Sequence, residues 1–261
     1  MPSDSSARSP GGGEPAEAAE RRRVIEVLSA ATLGVEPVRV PQALCRACVG
    51  LLPVTGASVS ISGGSTVRAV WCASDEVAAQ LAEAQYTVGD GPCRAALDGA
   101  VPVLAADLAD GPDSRRWPIF ARQAVELGVG AVFSLPLGAG GSAIGTLDLY
   151  RDRPGGLSER DLAVAQWVRD AIMGALMELR SRDAATGRAP DDGMVAWVAA
   201  SEAEHGEVYQ AIGMVMVQLG VDPADALDRM RARAFVEEAT VSEVARDVVA
   251  HRLKFRPEAD G

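Results

Sequence analysis

The chain carries two apolar runs near its middle, Ala131-Val-Phe-Ser-Leu-Pro-Leu137 and Ala143-Ile-Gly-Thr-Leu-Asp-Leu-Tyr150, separated by Gly138-Ala-Gly-Gly-Ser142. Both runs have the length and apolar content of strands, and the glycines between them suit a tight turn. A glycine-rich loop beside a strand also suggests phosphate binding, but a helix must follow such a loop and none is predicted here. The stretch therefore predicts a β-hairpin.

A second hairpin is predicted earlier in the chain. Residues 57–63 alternate small or apolar with polar side chains, residues 67–71 form its extended partner, and Gly63-Gly64 supplies the turn. Further along, the turn Gly89-Asp-Gly-Pro-Cys93 opens a short helix, and residues 101–108 form an extended segment.

Helices flank both hairpins. Their apolar residues recur every three to four positions, which indicates amphipathic helices with one buried face. Asp75 and Ser158 stand where a helix N-cap is expected, and Gly128 stands where a helix would end. The helices predicted in this half cover residues 21–33, 41–52, 75–84, 116–127 and 162–180.

The chain changes character after residue 180. Residues 181–193 are polar and contain Gly187, Pro190 and Gly193, which predicts a linker. The pattern beyond it is wholly helical, and short amphipathic helices must pack together to be stable. We predict an α+β chain with these parts: a disordered tail (1–20), an α/β domain whose antiparallel sheet is flanked by helices (21–180), the linker (181–193), an all-α three-helix module (194–256) and a tail (257–261).

Composition limits the class of protein. Of the 261 residues, 48% are hydrophobic and 23% are charged, which is the balance of a folded globular protein. The net charge of −11 argues against loose binding to nucleic acid or to an anionic membrane, although local charge decides a specific site. No apolar run reaches the roughly 18–20 residues that span a bilayer, and residues 1–13 lack the apolar core of a signal peptide. We expect a cytoplasmic protein with no membrane contact.

Residues with catalytic or metal-binding potential do not form a recognisable set. Cys45 and Cys48 form a CxxC, but their surroundings indicate a buried helical face, and no second CxxC follows. We interpret the pair as structural and the four cysteines as free thiols. Because the sequence shows no nucleophile–base set, metal triad or P-loop, we expect neither an enzyme nor a cofactor.

The first half resembles a bacterial GAF domain over roughly residues 38–180. The resemblance rests on Gly89–Cys93, Asp107-Leu108, Arg116–Phe120, 128–137 and Ile144–Tyr150. It implies an α/β sensor fold that responds to an unknown small molecule or redox signal. Backbone N–H groups at a helix start can hold an anion, and a thiol there can report redox state; the alternative is a structural turn with a buried thiol. The candidate sensor residues are Gly89, Asp90, Gly91, Cys93, Trp117 and Phe133, of which the two aromatic residues also suit a core.

The last part resembles an ANTAR domain over Val208–Val221, Ala226–Ala234 and Val244–Val249. The resemblance implies a three-helix module that binds RNA hairpins and prevents transcription termination. The chain departs from the family pattern at Ile212, where many such domains carry a basic or small polar residue. The candidate RNA-binding residues are Gln210, Gly213, Arg229, Arg231, Arg233 and Arg246. Guanidinium groups can stack on bases and hydrogen-bond to them, whereas the alternative is a solvated face with intrahelical ion pairs such as Asp228–Arg231.

Together the two resemblances imply a signal-responsive regulator that acts by transcription antitermination. Its expected partners are RNA hairpins in transcript leaders, a second copy of the chain in a homodimer, and a small-molecule ligand, but not double-stranded DNA. The helix over 162–180 is the expected lever between the two domains. The alternative is a signalling adaptor whose helical module does not bind RNA but docks a protein partner.

Overall fold

The computed structural model describes residues 14–36, 39–62, 68–139, 141–185 and 206–256. Its N-terminal domain is built on a five-stranded sheet with the strand order β2-β1-β5-β4-β3. All neighbouring strands are antiparallel, and β5 lies at the centre between β1 and β4. The strands are β1 (Gly56–Ser62), β2 (Arg68–Ala73), β3 (Val103–Ala105), β4 (Ala131–Ala139) and β5 (Ser142–Arg151). The paired strands of both predicted hairpins are present, and the turn predicted at Gly63-Gly64 lies outside the described residues.

Helices cover the two faces of this sheet. On one face, α2 contacts β1 and β2, α7 contacts β4, and α1 packs on both helices. On the other face, α3 lies over β1 and β2, α4 lies over β4 and β5, and α6 packs against α3. The helices of the domain are α1 (Glu14–Thr32), α2 (Val40–Leu51), α3 (Glu76–Val88), α4 (Pro92–Gly99), α5 (Pro112–Arg116), α6 (Pro118–Glu126) and α7 (Glu159–Ala185).

A second, smaller unit follows, which we call the C-terminal module. It contains α8 (Gly206–Leu219), α9 (Pro223–Val236) and α10 (Val241–Val249), packed around a common apolar core. Asp222 caps α9 by accepting hydrogen bonds from the amides of Ala224 and Asp225 at 2.9 and 3.0 Å. Thr240 and Glu243 form a reciprocal capping box at the start of α10. The predicted α+β fold class is confirmed.

Several element boundaries differ from those predicted. Helix α1 begins at Glu14, so residues 14–20 of the predicted disordered tail are helical. The single helix predicted over 116–127 is two helices that meet at Trp117, because Pro118 has no amide hydrogen to continue the first one. Helix α7 extends to Ala185, into the predicted linker. Residues 194–204, for which the sequence pattern also predicts a short helix, lie outside the described residues.

No helix in the described ranges is long and apolar enough to cross a membrane.

The start of α3 is anchored to the centre of the sheet by Asp75. Its carboxylate accepts hydrogen bonds from the Ala78 amide and the Tyr150 hydroxyl, each at 2.9 Å, and from the Ser74 hydroxyl at 2.5 Å. Burial and the hydrogen bond to Asp75 both raise the pKa of Tyr150, so its hydroxyl keeps the proton that it donates. One carboxylate therefore caps α3 and fixes it to β5.

We predict that Asp75→Ala lowers the free energy of unfolding by about 1–3 kcal/mol, because it removes a helix cap and leaves a partly buried hydroxyl without its acceptor. The measurement is urea-induced unfolding of the full chain. Asp98→Ala serves as the control, since Asp98 is paired with Arg94 on the surface and its side chain is 57% exposed. An equally small loss of unfolding free energy in both variants would contradict the anchoring role of Asp75.

Candidate functional site

The two faces of the sheet differ in chemistry. Side chains alternate between the faces of a strand, and in β5 this alternation separates Leu147 and Leu149 from Thr146 and Asp148. The two leucines join the apolar core beneath α1, α2 and α7, whereas Thr146 and Asp148 lie on the face covered by α3 and α4. All four side chains are buried, so the polar face is not a solvent face.

The polar residues form rows across neighbouring strands. Asp148 of β5 is paired in register with Ser58 of β1 and Ser134 of β4, and Thr146 is paired with Ser60. The Ser134 hydroxyl donates to Asp148 Oδ1 at 2.5 Å, and the Thr146 hydroxyl donates to Asp148 Oδ2 at 2.9 Å. A buried carboxylate thus has a hydroxyl donor on each oxygen.

Helices α3 and α4 extend this arrangement from above. Cys93 Sγ lies 2.8 Å from Thr146 Oγ1; because that hydroxyl already donates its hydrogen to Asp148, the thiol is the donor. The Cys93 amide donates to Gln85 Oε1 at 2.8 Å. Gly91 approaches the same amide side chain with φ of 140°, a backbone conformation that favours glycine.

Two buried polar atoms in this region lack a hydrogen-bond partner within the described part of the chain. They are Ser60 Oγ and Gln85 Nε2. A buried polar atom left unpaired costs about 1–3 kcal/mol, so such atoms mark places where a bound molecule can be stabilised. We call Ser60, Gln85, Cys93, Ser134, Thr146 and Asp148 the polar site.

The predicted sensor residues are only partly brought together. Cys93 belongs to the polar site and Gly91 touches it, while Asp90 accepts a hydrogen bond from the Gly91 amide within its own turn. Gly89 ends α3 in a left-handed conformation. Trp117 is buried in a separate apolar cluster with Phe120, and Phe133 packs on the opposite face of the sheet.

Sequence reasoning missed five members of the polar site: Ser60, Gln85, Ser134, Thr146 and Asp148. The alternation of polar and apolar residues in β1 was visible, and Thr146 and Asp148 alternate with leucines in the same way. Alternation is most typical of a sheet with one solvent face, so it could not show that this polar face is buried.

Three of the four cysteines lie together on the apolar side of the sheet. Cys45 and Cys48 are buried on α2, as their spacing predicted, and Cys45 Sγ lies 2.9 Å from Cys72 Sγ of β2. Burial raises the pKa of the Cys48 and Cys72 thiols, which keeps both groups protonated. No cluster of three or more potential metal ligands occurs among the described residues.

The candidate RNA-binding residues lie on all three helices of the C-terminal module. Gln210 and Gly213 are exposed on α8, three residues apart on one face, and Gly213 has open space where a side chain would stand. Ile212 is only 4% exposed and packs in the module core, so the residue that departs from the family pattern faces inward.

The arginines differ sharply in their surroundings. Arg229 and Arg233 are exposed on one face of α9, and Arg233 forms an ion pair with Glu237 at 2.5 Å. Arg246 of α10 is exposed and lies 3.6 Å from Glu207. The Arg231 side chain is only 17% exposed, and its Nε donates to the Tyr86 carbonyl of α3 at 3.1 Å.

Comparison with known families assigns both domains. The GAF domain model matches residues 39–172, which is half of the chain. The chain belongs to the GAF domain family. Its C-terminal module is an ANTAR domain, because that family model matches residues 200–249.

Solved structures similar to this chain include other GAF domains. The GAF domain of a phosphoenolpyruvate-protein phosphotransferase from Coxiella burnetii is 14% identical, with a TM-score of 0.47, and the match covers 64% of this chain and 96% of that one. Free methionine-R-sulfoxide reductase from Neisseria meningitidis is 15% identical, with a TM-score of 0.44, covering 66% and 96%. Identities this low carry no information about ligand or activity. No curated protein sequence matches the chain.

We predict opposite effects for two serines of the polar site that are both completely buried. Ser134→Ala should lower the free energy of unfolding by about 1–3 kcal/mol, because it removes a donor from the buried carboxylate of Asp148. Ser60→Ala should be neutral or stabilising, because it removes a buried polar atom that has no partner in the described ranges of the chain. Urea-induced unfolding of both variants measures the two changes in unfolding free energy. An equal loss of unfolding free energy in the two variants would contradict the assignment of the polar site.

Proposed function

We propose that the chain is a signal-responsive regulator whose ANTAR domain binds RNA hairpins and controls transcription antitermination, while its GAF domain senses a small molecule. The observation that carries the proposal is the occurrence of these two domains in one chain, with candidate RNA contacts exposed on the ANTAR domain.

The surface chemistry of the ANTAR domain supports RNA contact. Arg229 and Arg233 lie four residues apart on α9, and both are exposed on the same face of the helix. The Arg233–Glu237 ion pair is exposed on both sides, and such pairs contribute only about 0–1 kcal/mol. An RNA phosphate can therefore replace the Glu237 carboxylate at little cost.

The polar site supports a small polar ligand as the signal. Gln85 Nε2 can donate to such a ligand, and Ser60 Oγ can donate or accept. The Cys93 thiol takes part in the same hydrogen-bonded chain, so oxidation of this thiol would remove the hydrogen that it donates to Thr146. Ligand binding and thiol oxidation would therefore both change the hydrogen bonds of the polar site.

We predict that replacing Arg229 and Arg233 together by alanine weakens the binding of an RNA with two consecutive stem–loops. The salt dependence should also fall, by up to about two units in the slope of log K against log salt, since two phosphate contacts are lost. Fluorescence anisotropy of the full chain at several salt concentrations measures both quantities.

The control for this test is Arg94→Ala together with Arg169→Ala, which changes the net charge equally on the GAF domain. Equal weakening in the two double variants would mean that overall charge, not the α9 face, attracts the RNA. Failure of the unaltered chain to bind RNA would overturn the proposed function.

A second candidate function is supported by exposed apolar side chains. Val217, Phe235 and Val236 of the ANTAR domain are 87%, 61% and 76% exposed. A partner protein could cover these residues, as the adaptor alternative requires. Saturable protein binding without RNA binding would favour that function. The homodimer stays a prediction from sequence, which the exposed Ile25 and Met177 on α1 and α7 support.

A further inference from the structure

We propose that the end of α3 in the GAF domain holds the ANTAR domain in a docked state through Arg231, so that RNA and the GAF domain compete for this arginine. The docked state therefore represses RNA binding, and the polar site controls how firmly the two domains hold together. This inference rests on the proposed RNA-binding function and adds its regulation.

Arg231 completes the carboxyl end of α3. The last four carbonyls of a helix have no partner within it, and the end carries a partial negative charge that favours a cation. The Gln85 carbonyl is satisfied by the Gly89 amide, and the Tyr86 carbonyl is satisfied by Arg231 Nε at 3.1 Å. The Arg231 guanidinium also lies 5.6 Å from the centre of the Tyr86 ring, within cation–π range.

The GAF domain in turn completes the amino end of α10. The first amides of a helix also lack partners within it. The Val241 amide donates to the Thr87 hydroxyl at 3.1 Å, and the Ser242 amide donates to Glu83 Oε1 at 3.4 Å. The next amide, that of Glu243, is capped by Thr240 of the ANTAR domain itself. Each domain thus satisfies helix-end groups of the other, which makes the contact directional and specific.

The apolar part of the contact is provided by Tyr86. Its side chain is 3% exposed and belongs to the core of the ANTAR domain, together with Val208, Met230 and Val244. A residue of the GAF domain therefore fills part of the ANTAR core. Separating the domains would uncover this ring and release the hydrogen bonds to both helix ends.

Docking affects the candidate RNA contacts unequally. Arg231 is used by α3, and Arg246 lines an open cleft of about 1770 Å³ between the two domains, with Arg122 and Glu126 on its opposite wall. Arg229 and Arg233 do not line this cleft and stay exposed. The docked state can therefore attract RNA. Only release of the ANTAR domain from the GAF domain makes all four candidate arginines available to the RNA.

The last turn of α3 also connects this contact to the polar site. Gln85 accepts a hydrogen bond from the Cys93 amide on the sensor side, and the next two residues, Tyr86 and Thr87, hold the ANTAR domain. A ligand that bonds Gln85 Nε2 acts on the residue adjacent to the contact. Such a ligand shifts the equilibrium between the docked and the released ANTAR domain if it binds one of the two arrangements more tightly than the other.

The test is the Tyr86→Ala variant of the full chain, which removes the ring from the ANTAR core and leaves every candidate RNA contact in place. Binding of the two-stem–loop RNA should tighten by about five- to 150-fold, the usual range of coupling between sites. Hydrogen exchange at the Val241 and Ser242 amides should become faster in the free variant. Leu104→Ala is the control, because Leu104 lies on β3 and is 39% exposed.

A second variant with a smaller structural change keeps the test decisive if Tyr86→Ala fails to fold. Thr87→Val removes only the acceptor for the Val241 amide and should change exchange and RNA affinity in the same direction, by less than about tenfold. Faster exchange with unchanged RNA affinity would overturn the competition and leave the proposed function intact. Unchanged exchange in both variants would overturn the docked state. Absence of RNA binding by all forms, released ones included, would overturn the proposed function and this inference with it.

Discussion

The end of α3 is the constraint on which the arrangement of the two domains depends. A helix end exposes carbonyl groups that need donors, and here one donor comes from the other domain, as Arg231 Nε. The same turn places Gln85 beside the Cys93 amide on the sensor side. The start of α3 is fixed to β5 through Asp75 and Tyr150. A change at the polar site therefore acts on the last turn of a helix whose first turn is anchored to the sheet.

The two-faced sheet explains why a sensor domain of this size can bury so many polar groups. One face is apolar and packs on α1, α2 and α7, where it forms an extensive buried apolar cluster. The other face carries a carboxylate and hydroxyls whose hydrogen bonds are nearly complete. Ser60 Oγ and Gln85 Nε2, which have no hydrogen-bond partner among the described residues, are tolerated there because apolar burial elsewhere in the domain offsets their cost.

The local pattern of the sequence was enough to predict the hairpin strands, the helices of the ANTAR domain and the caps at Asp75 and Ser158, because each depends on neighbours within a few residues. Burial of Thr146 and Asp148 depends on which helices cover the sheet. The alternation of polar and apolar residues is the same whether the polar face of a strand is exposed to solvent or buried. Likewise, Arg229, Arg231 and Arg233 look equivalent in the sequence. Only the packing of α9 against α3 distinguishes the largely buried Arg231 side chain from the exposed side chains of Arg229 and Arg233.

The most direct test of competition between RNA and α3 uses the unaltered chain. Hydrogen exchange at the Val241 and Ser242 amides would be measured with and without the two-stem–loop RNA at saturating concentration. Competition predicts that bound RNA speeds exchange at these amides, because their acceptors Thr87 and Glu83 move away with α3. Unchanged or slower exchange while RNA is bound would show that the ANTAR domain binds RNA without leaving the GAF domain, and would contradict the competition.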